Sequence, residues 1–280
     1  MAKKRANLSD LLNNLTFRTV YDKYMLIAAN AFEWSGLPDG ILERHIERIL
    51  FTRGKAVFFR DPDMDFMCLE ASEDSGQNVY GDPLFYTAHG VGYHRRFSAD
   101  DVVIIENNKF RIPTDPFIMF YANKITEAER TMDVNIKACK TPVIFSCDEA
   151  DVFTWKKVFS EVDGNVPALF VDRRMNAESI QAFQTGVKFM GAEITDYVNS
   201  VESDLLTFLG VNNNAVDKRE RLITSEADAN NQLISAFAEL QLEARERACK
   251  EINEKWGLSV TVKRRGVDNP VDTVGNGGDE

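Results

Sequence analysis

Apolar positions at three- and four-residue steps open the chain. Leu12, Leu15, Tyr21, Tyr24, Ala28, Ala31 and Phe32 describe one face of a helix running from Ser9, which Gly36 and Pro38 stop. Asp39 caps a second, shorter helix with Leu42, Ile46, Ile49 and Leu50 on one face, ending near Gly54. Between residues 55 and 112 the period changes. Runs at 55–60, 65–69, 84–88 and 102–105 are short, β-rich and separated by Gly, Pro, Asp and Asn, which predicts a small β barrel or sandwich. Residues 102–106, the pair Asn107-Asn108 and residues 109–112 read as a hairpin, because Asn tolerates the positive φ of a two-residue turn.

The strongest helical signal follows. Asp115 stands at a cap position with Pro116 at the first helical one, and Phe117, Tyr121, Ile125, Ala128, Met132 and Ile136 recur until Thr141 and Pro142, a rod of roughly 37 Å. A mixed segment contains an apolar run at 143–145, a short helix at 154–159 and a second run at 166–171. The helical period then returns with Val187, Met190, Ile194, Val198, Val201, Leu205 and Phe208, bounded by Gly186 and by Gly210 at the position just past the helix end, about 35 Å long. Two rods of matching length bracketing an excursion predict a chain that runs out, forms a knob and returns.

Residues 211–231 are polar, lack a stripe and read as a long loop. Leu233, Phe237, Leu240, Ala244, Ala248 and Ile252 make a last helix stopped by Gly257, and Leu258, Val260 and Val262 alternate as a strand. Residues 267–280 hold four acids, no base and three glycines, a composition that predicts disorder. The fold class is mainly α with a small β module, α+β.

The 280 residues, 44% hydrophobic and 28% charged, are long enough for one or two domains and exclude a collagenous or wholly disordered chain. No apolar run approaches the eighteen residues a membrane helix needs, so no membrane partner is expected. Asn7, Ser9, Asp10, Asn13 and Asn14 stand where a signal peptide requires apolar residues, so Lys3, Lys4 and Arg5 read as the basic arm of an intracellular protein. Lys plus Arg total 33 against 44 Asp plus Glu, a net charge of -11, the opposite of a tight nucleic-acid binder. Positive charge is clustered at 3–5, at Lys218, Arg219 and Arg221, and at Lys263, Arg264 and Arg265; taken alone, such clusters read as solvated loop ends. Cys68, Cys139, Cys147 and Cys249 have neither zinc-site nor disulfide-framework spacing and read mostly as buried thiols.

Phosphate-binding glycine loops are absent, and His45, His89 and His94 show no metal-binding spacing. Asp61, Asp63 and Asp65 alternate beside Pro62 in a manner a two-metal nuclease would use, but a turn between strands explains them more simply; Asp148, Glu149 and Asp151 form a second acidic group, read as a polar loop. No nucleophile–histidine arrangement can be drawn, so the residues predict no catalytic site, no metal and no cofactor. Rods with several apolar faces and little sequence to cover them point to an assembly component whose neighbouring copies complete the core, as in a closed ring.

Seven stretches carry a resemblance: MAKKRAN (1–7), FEWSGLP (32–38), KTPVI (140–144), GNVPALF (164–170), TFLGV (207–211), KRERLITSE (218–226) and ACKEINEKWGLSVTVK (248–263). In this order and spacing the chain resembles the upper collar, head-tail connector or portal proteins of small short-tailed phages with protein-primed linear double-stranded DNA.

The resemblance implies a portal architecture of long tilted stem helices, a wing with an SH3-like β barrel and a small α/β clip. Its parts would be a flexible basic arm at 1–8, wing at 9–112, stem helix at 113–140, clip at 141–185, stem helix at 186–210, channel loop at 211–235, wide-end helix and strand at 236–265, and an acidic tail at 266–280. It implies a ring of twelve copies at one capsid vertex of the virion, assembled in the host cytoplasm, through which double-stranded DNA is packaged and ejected.

The implied partners are a packaging ATPase, a packaging RNA in some members, the major capsid and scaffolding proteins, and a lower collar or tail protein. Lys3, Lys4 and Arg5 match the arm that contacts the motor or its RNA. Lys218 and Arg219, with Arg221 beside them, match the channel loop, whereas the family's channel lysines are replaced by Glu193 and Val198. Two other readings stay open at this point: a metal-dependent nuclease or DNA end-processing enzyme using Asp61, Asp63 and Asp65, and a monomeric helical adaptor.

Overall fold

The computed structural model describes residues 8–140, 143–146, 181–184, 186–211 and 224–265. The chain divides into two compact units, residues 1–126 with 199–280, and residues 127–198.

The first unit opens with α1 (Leu8–Ala29), β1 (Phe32–Ser35) and α2 (Glu43–Arg53), followed by β2 (Lys55–Asp61), β3 (Asp65–Glu73), β4 (Phe85–Gly90), β5 (Tyr93–Ser98) and β6 (Val103–Glu106). Here α3 (Asp115–Lys140) begins. The second unit holds the rest of α3, the antiparallel pair β7 (Val143–Ser146) and β8 (Gln181–Gln184), and the start of α4 (Gly191–Phe208). The end of α4, α5 (Thr224–Trp256) and β9 (Thr261–Arg264) belong to the first unit again.

Strands β2 to β6 form one antiparallel sheet in the order β5-β4-β3-β2-β6. Both faces of β2 are buried, because successive side chains point to opposite sides and each side has its own core. Ala56 and Phe58 join Ile46, Ile49 and Leu50 of α2, Ala248, Cys249 and Ile252 of α5, and Phe32, Trp34, Val260 and Val262 around the β1–β9 pair. Val57 and Phe59 join Tyr86, Ala88, Met67, Tyr93 and Phe97 of the same sheet. Phe59 of β2 and Phe97 of β5 meet with ring centroids 4.4 Å apart although β3 and β4 lie between their strands, so the sheet curls strongly and the β module is barrel-like. Full burial of each large side chain contributes about 1.5–3 kcal/mol.

Several elements differ from the sequence expectations. Residues 107–112 do not return as a strand; β6 pairs with β2 instead, with Ile105 opposite Ala56. The Asn side chains explain this, since Asn108 Oδ1 accepts from the amides of Phe110 and Ile112 while Asn107 Nδ2 donates to Ile112 O and Thr114 Oγ1. These bonds close a loop that leads directly into α3. At that entry Thr114 O, one residue before the expected cap, accepts from Phe117 and Ile118 N.

Phe32, expected on the first helix, lies on β1, where Phe32 and Trp34 pair with Arg264 and Val262. The two rods are also unequal, 26 residues in α3 and 18 in α4. Asn135 of α3 accepts from Met190 N at 2.9 Å and donates to Lys188 O at 2.8 Å, so residues 186–190 are held outside the helix. Conversely α5 begins at Thr224, nine residues before the expected Leu233. Its first turns carry no apolar stripe but contain Glu226, Ala227 and Ala229, which favour helix intrinsically.

Gly54 shows why a glycine ends α2. Its φ of +76° is left-handed, and a Cβ there would lie 1.9 Å from Arg111 O. The expected helix at 154–159, the run at 166–171 and the tail at 266–280 lie outside the described residues.

Candidate functional site

From Gly191 to Gly210 the chain has no Lys, Arg or His but four acids, Glu193, Asp196, Glu202 and Asp204. Val201, Leu205 and Leu209 anchor the C-terminal half of α4 in the first unit, and Phe208 stacks against Phe117 with ring centroids 4.5 Å apart. Glu193, Asp196 and Asp204 are exposed, and among the described residues none forms an ion pair. Glu202 is the acid that is neutralised: Lys23 Nζ lies 3.0 Å away and Tyr24 donates its hydroxyl to the same carboxylate. The uncompensated charge on the exposed surface of α4 is thus negative, at Glu193, Asp196 and Asp204.

Helix α1 is tied to α3 as well. Tyr21 donates to Asp115 Oδ1 at 2.5 Å, and burial, reinforced by this bond, pushes the Tyr21 hydroxyl above its ordinary range.

The end of α4 is a built corner. Gly210 N donates to Thr207 O at 2.9 Å and Val211 N to Leu206 O at 2.8 Å, the paired bonds of a helix closed by a left-handed residue. Gly210 has φ +69°, as the sequence predicts for it. Arg264 donates to Gly210 O and sits 3.5 Å from Leu209 O, so a cation meets the negative end of the helix dipole. Burial alone lowers the Arg264 pKa. This corner fixes where the segment carrying Lys218, Arg219 and Arg221 departs; those three residues lie outside the described residues, as do Lys3, Lys4 and Arg5.

The remaining charge clusters do structural work. Lys263 pairs with Glu33, and Arg265 with Glu33 and Glu43. Asp61 is buried and accepts from Tyr93 Oη at 2.7 Å, Arg95 at 2.8 Å and the amides of Asp63 and Met64. These bonds, that of Tyr93 first, hold its carboxyl down at about 2. Asp65 pairs with Arg60 across the β2–β3 turn.

Asp63 thus lies in the β2–β3 turn that Asp61 and Asp65 flank, and among the described residues no three His, Cys, Asp or Glu side chains could hold a metal together. Asp148, Glu149 and Asp151 lie outside the described residues. Cys68 and Cys249 are buried free thiols, each pushed up to about 12 chiefly by desolvation. Among the described residues no helix is long and apolar enough to cross a membrane.

The model of the Phage Connector (GP10) family matches residues 3–267. The chain belongs to the phage connector family. It is a portal protein of the virion. In three dimensions the connector is similar to a chain of the portal and tail of native bacteriophage P68, with TM-score 0.50 and 16% identity over 96% of this chain and 94% of that one. It is also similar to a chain of a native gene transfer agent virion, with TM-score 0.48 and 12% identity over 94% and 84%. A third likeness is to an HK97 family phage portal protein from Corynebacterium diphtheriae, with TM-score 0.42 and 10% identity over 92% and 94%.

Three contacts depart from the sequence expectations. Arg264, expected as a solvated cation, caps the end of α4; Arg245 carries no sequence signal and is buried against Glu47; and His89 and His94, which show no metal-binding spacing, face each other. Only the last had a usable signal: five residues apart across Gly90 and Gly92, they can face one another in a hairpin.

Proposed function

We propose that twelve copies of this connector close into a ring at one capsid vertex, forming the passage by which double-stranded DNA enters the head and later leaves it. Membership of the connector family over residues 3–267 carries the reading. Exposed Phe110 and Leu240, which line one apolar cavity with Phe117, Phe208 and Phe237, support it, because exposed apolar surface marks a contact with another chain, which in a ring is a neighbouring copy.

Within the ring Glu193, with Asp196 and Asp204, faces the passage. A negative wall repels the phosphate backbone and keeps DNA sliding rather than adhering. Lys218, Arg219 and Arg221 supply a positive ring near the DNA, and Lys3, Lys4 and Arg5 reach the packaging ATPase or a packaging RNA. The outer surfaces meet the major capsid, scaffolding and tail proteins. Reconstituted heads test the proposal: particles assembled with the connector fill with DNA in the presence of the motor, and equal filling of particles assembled without it would overturn it.

A further inference from the structure

We propose that His89 and His94 form a two-imidazole site for a divalent transition-metal ion. They are direct partners across the β4–β5 ladder, so both project from the same face of the sheet. Their Nδ1 atoms are 3.1 Å apart, with ring centroids at 4.9 Å. At metal–nitrogen distances of about 2.0–2.1 Å, nitrogens so spaced subtend about 100° at a shared ion, between the octahedral and tetrahedral angles.

The surroundings favour the ion. Ser72 Oγ lies 2.8 Å from His89 Nε2; accepting the proton there, it leaves the His89 Nδ1 lone pair facing its partner. The proton shared between the two Nδ1 atoms moves to Nε2 of His94 when the ion takes its place, so two neutral rings donate two lone pairs. Three of the nearby cations are already paired, Arg95 with Asp61, Arg96 with Asp74, and Arg53 with Glu70, which stands opposite His89 on β3; exposed Arg48 lines the same cavity as His89 and Glu70.

His89 is half-buried and His94 exposed, so water reaches the remaining coordination positions. Imidazole pairs suit Zn(II), Cu(II) and Ni(II), and the ladder orients both rings before the ion arrives. The site rests on the hairpin alone and is independent of the ring and its passage.

Copper(II) electron paramagnetic resonance on the full chain tests it. One equivalent of Cu(II) gives hyperfine structure from two nitrogens, and Zn(II) raises the melting temperature relative to chelator. His94→Ala removes the second nitrogen and weakens binding at least about tenfold, because the second imidazole binds intramolecularly. Should that variant misfold, His94→Asn, which keeps a polar edge, gives the same loss. Ser72→Ala weakens binding by up to about tenfold through loss of orientation. Equal affinity in wild type and both His94 variants, or a spectrum showing one nitrogen or none, would overturn the proposal.

Discussion

Arg245 and Glu47, 198 positions apart in the chain, form a two-point ion pair inside the core, with Nε–Oε1 at 2.9 Å and Nη2–Oε2 at 2.8 Å. Trp34 Nε1 donates to the same carboxylate at 2.8 Å, and the guanidinium also reaches Asn107 Oδ1 and lies 4.0 Å from the centroid of Phe32. One side chain of α5 thereby joins α2, β1 and the loop into α3. Arg245→Met strands a buried carboxylate and lowers unfolding stability by about 3–5 kcal/mol, whereas adding Glu47→Leu recovers most of the loss. Chemical unfolding at a single protein concentration checks this; equal damage from the single and double variants would mean that packing rather than charge accounts for it.

Asp61 makes stability depend on acid. Its folded pKa of about 2 lies below the ordinary 3.8, so its contribution is fully present above about pH 4 and is lost as pH falls toward 2. Asp61→Asn should therefore be less stable at neutral pH and show a shallower fall between pH 4 and 2. Asp63→Ala, at an exposed turn position, should change neither stability nor DNA packaging, and loss of a metal-dependent DNA cleavage in that variant would revive the nuclease reading.

Gly210→Val puts a β-branched residue at φ +69° and a Cβ 2.8 Å from Ala238 Cβ and 3.0 Å from Arg264 Nη2. Backbone strain alone costs on the order of 1–3 kcal/mol. The expected outcome is a lower unfolding midpoint with reduced ring yield, and a much milder effect for Gly210→Asn, which tolerates the left-handed region. An unaltered midpoint in the valine variant would show that the corner is not rigid.

Deleting residues 3–5 separates assembly from packaging. Rings should form in normal yield while DNA filling of heads falls to background, because on the proposed role the three cations that neutralise phosphate or dock the motor are gone. Filling at the wild-type level would remove the arm from the packaging machinery.

How much was legible follows from which forces are local. The α3 helix, the C′ glycine at 210 and the β runs of residues 55–105 each carry a short-range signature, and each appears in the structure. The first turns of α5 have propensity without periodicity and so leave no stripe in the sequence, and residues 107–112 form a loop because Asn107 and Asn108 bond to backbone that follows them rather than making a two-residue turn. Residues 186–190 carry the helical period but lie outside α4, where Lys188 O and Met190 N bond to Asn135, more than fifty positions earlier. The site divides in the same way. The absence of bases between Gly191 and Gly210 can be counted in the sequence, but the capture of Glu202 by Lys23 and of the Gly210 carbonyl by Arg264 depends on tertiary contacts.

The central claim is that this chain works as a closed ring. The most direct test is the mass of the purified protein by light scattering, with negative-stain images of the same sample. The account predicts particles of about 380 kDa, twelve copies of the 31.7 kDa chain, with a central hole. A uniform 31.7 kDa monomer that persists when capsid and scaffolding proteins are supplied would contradict it.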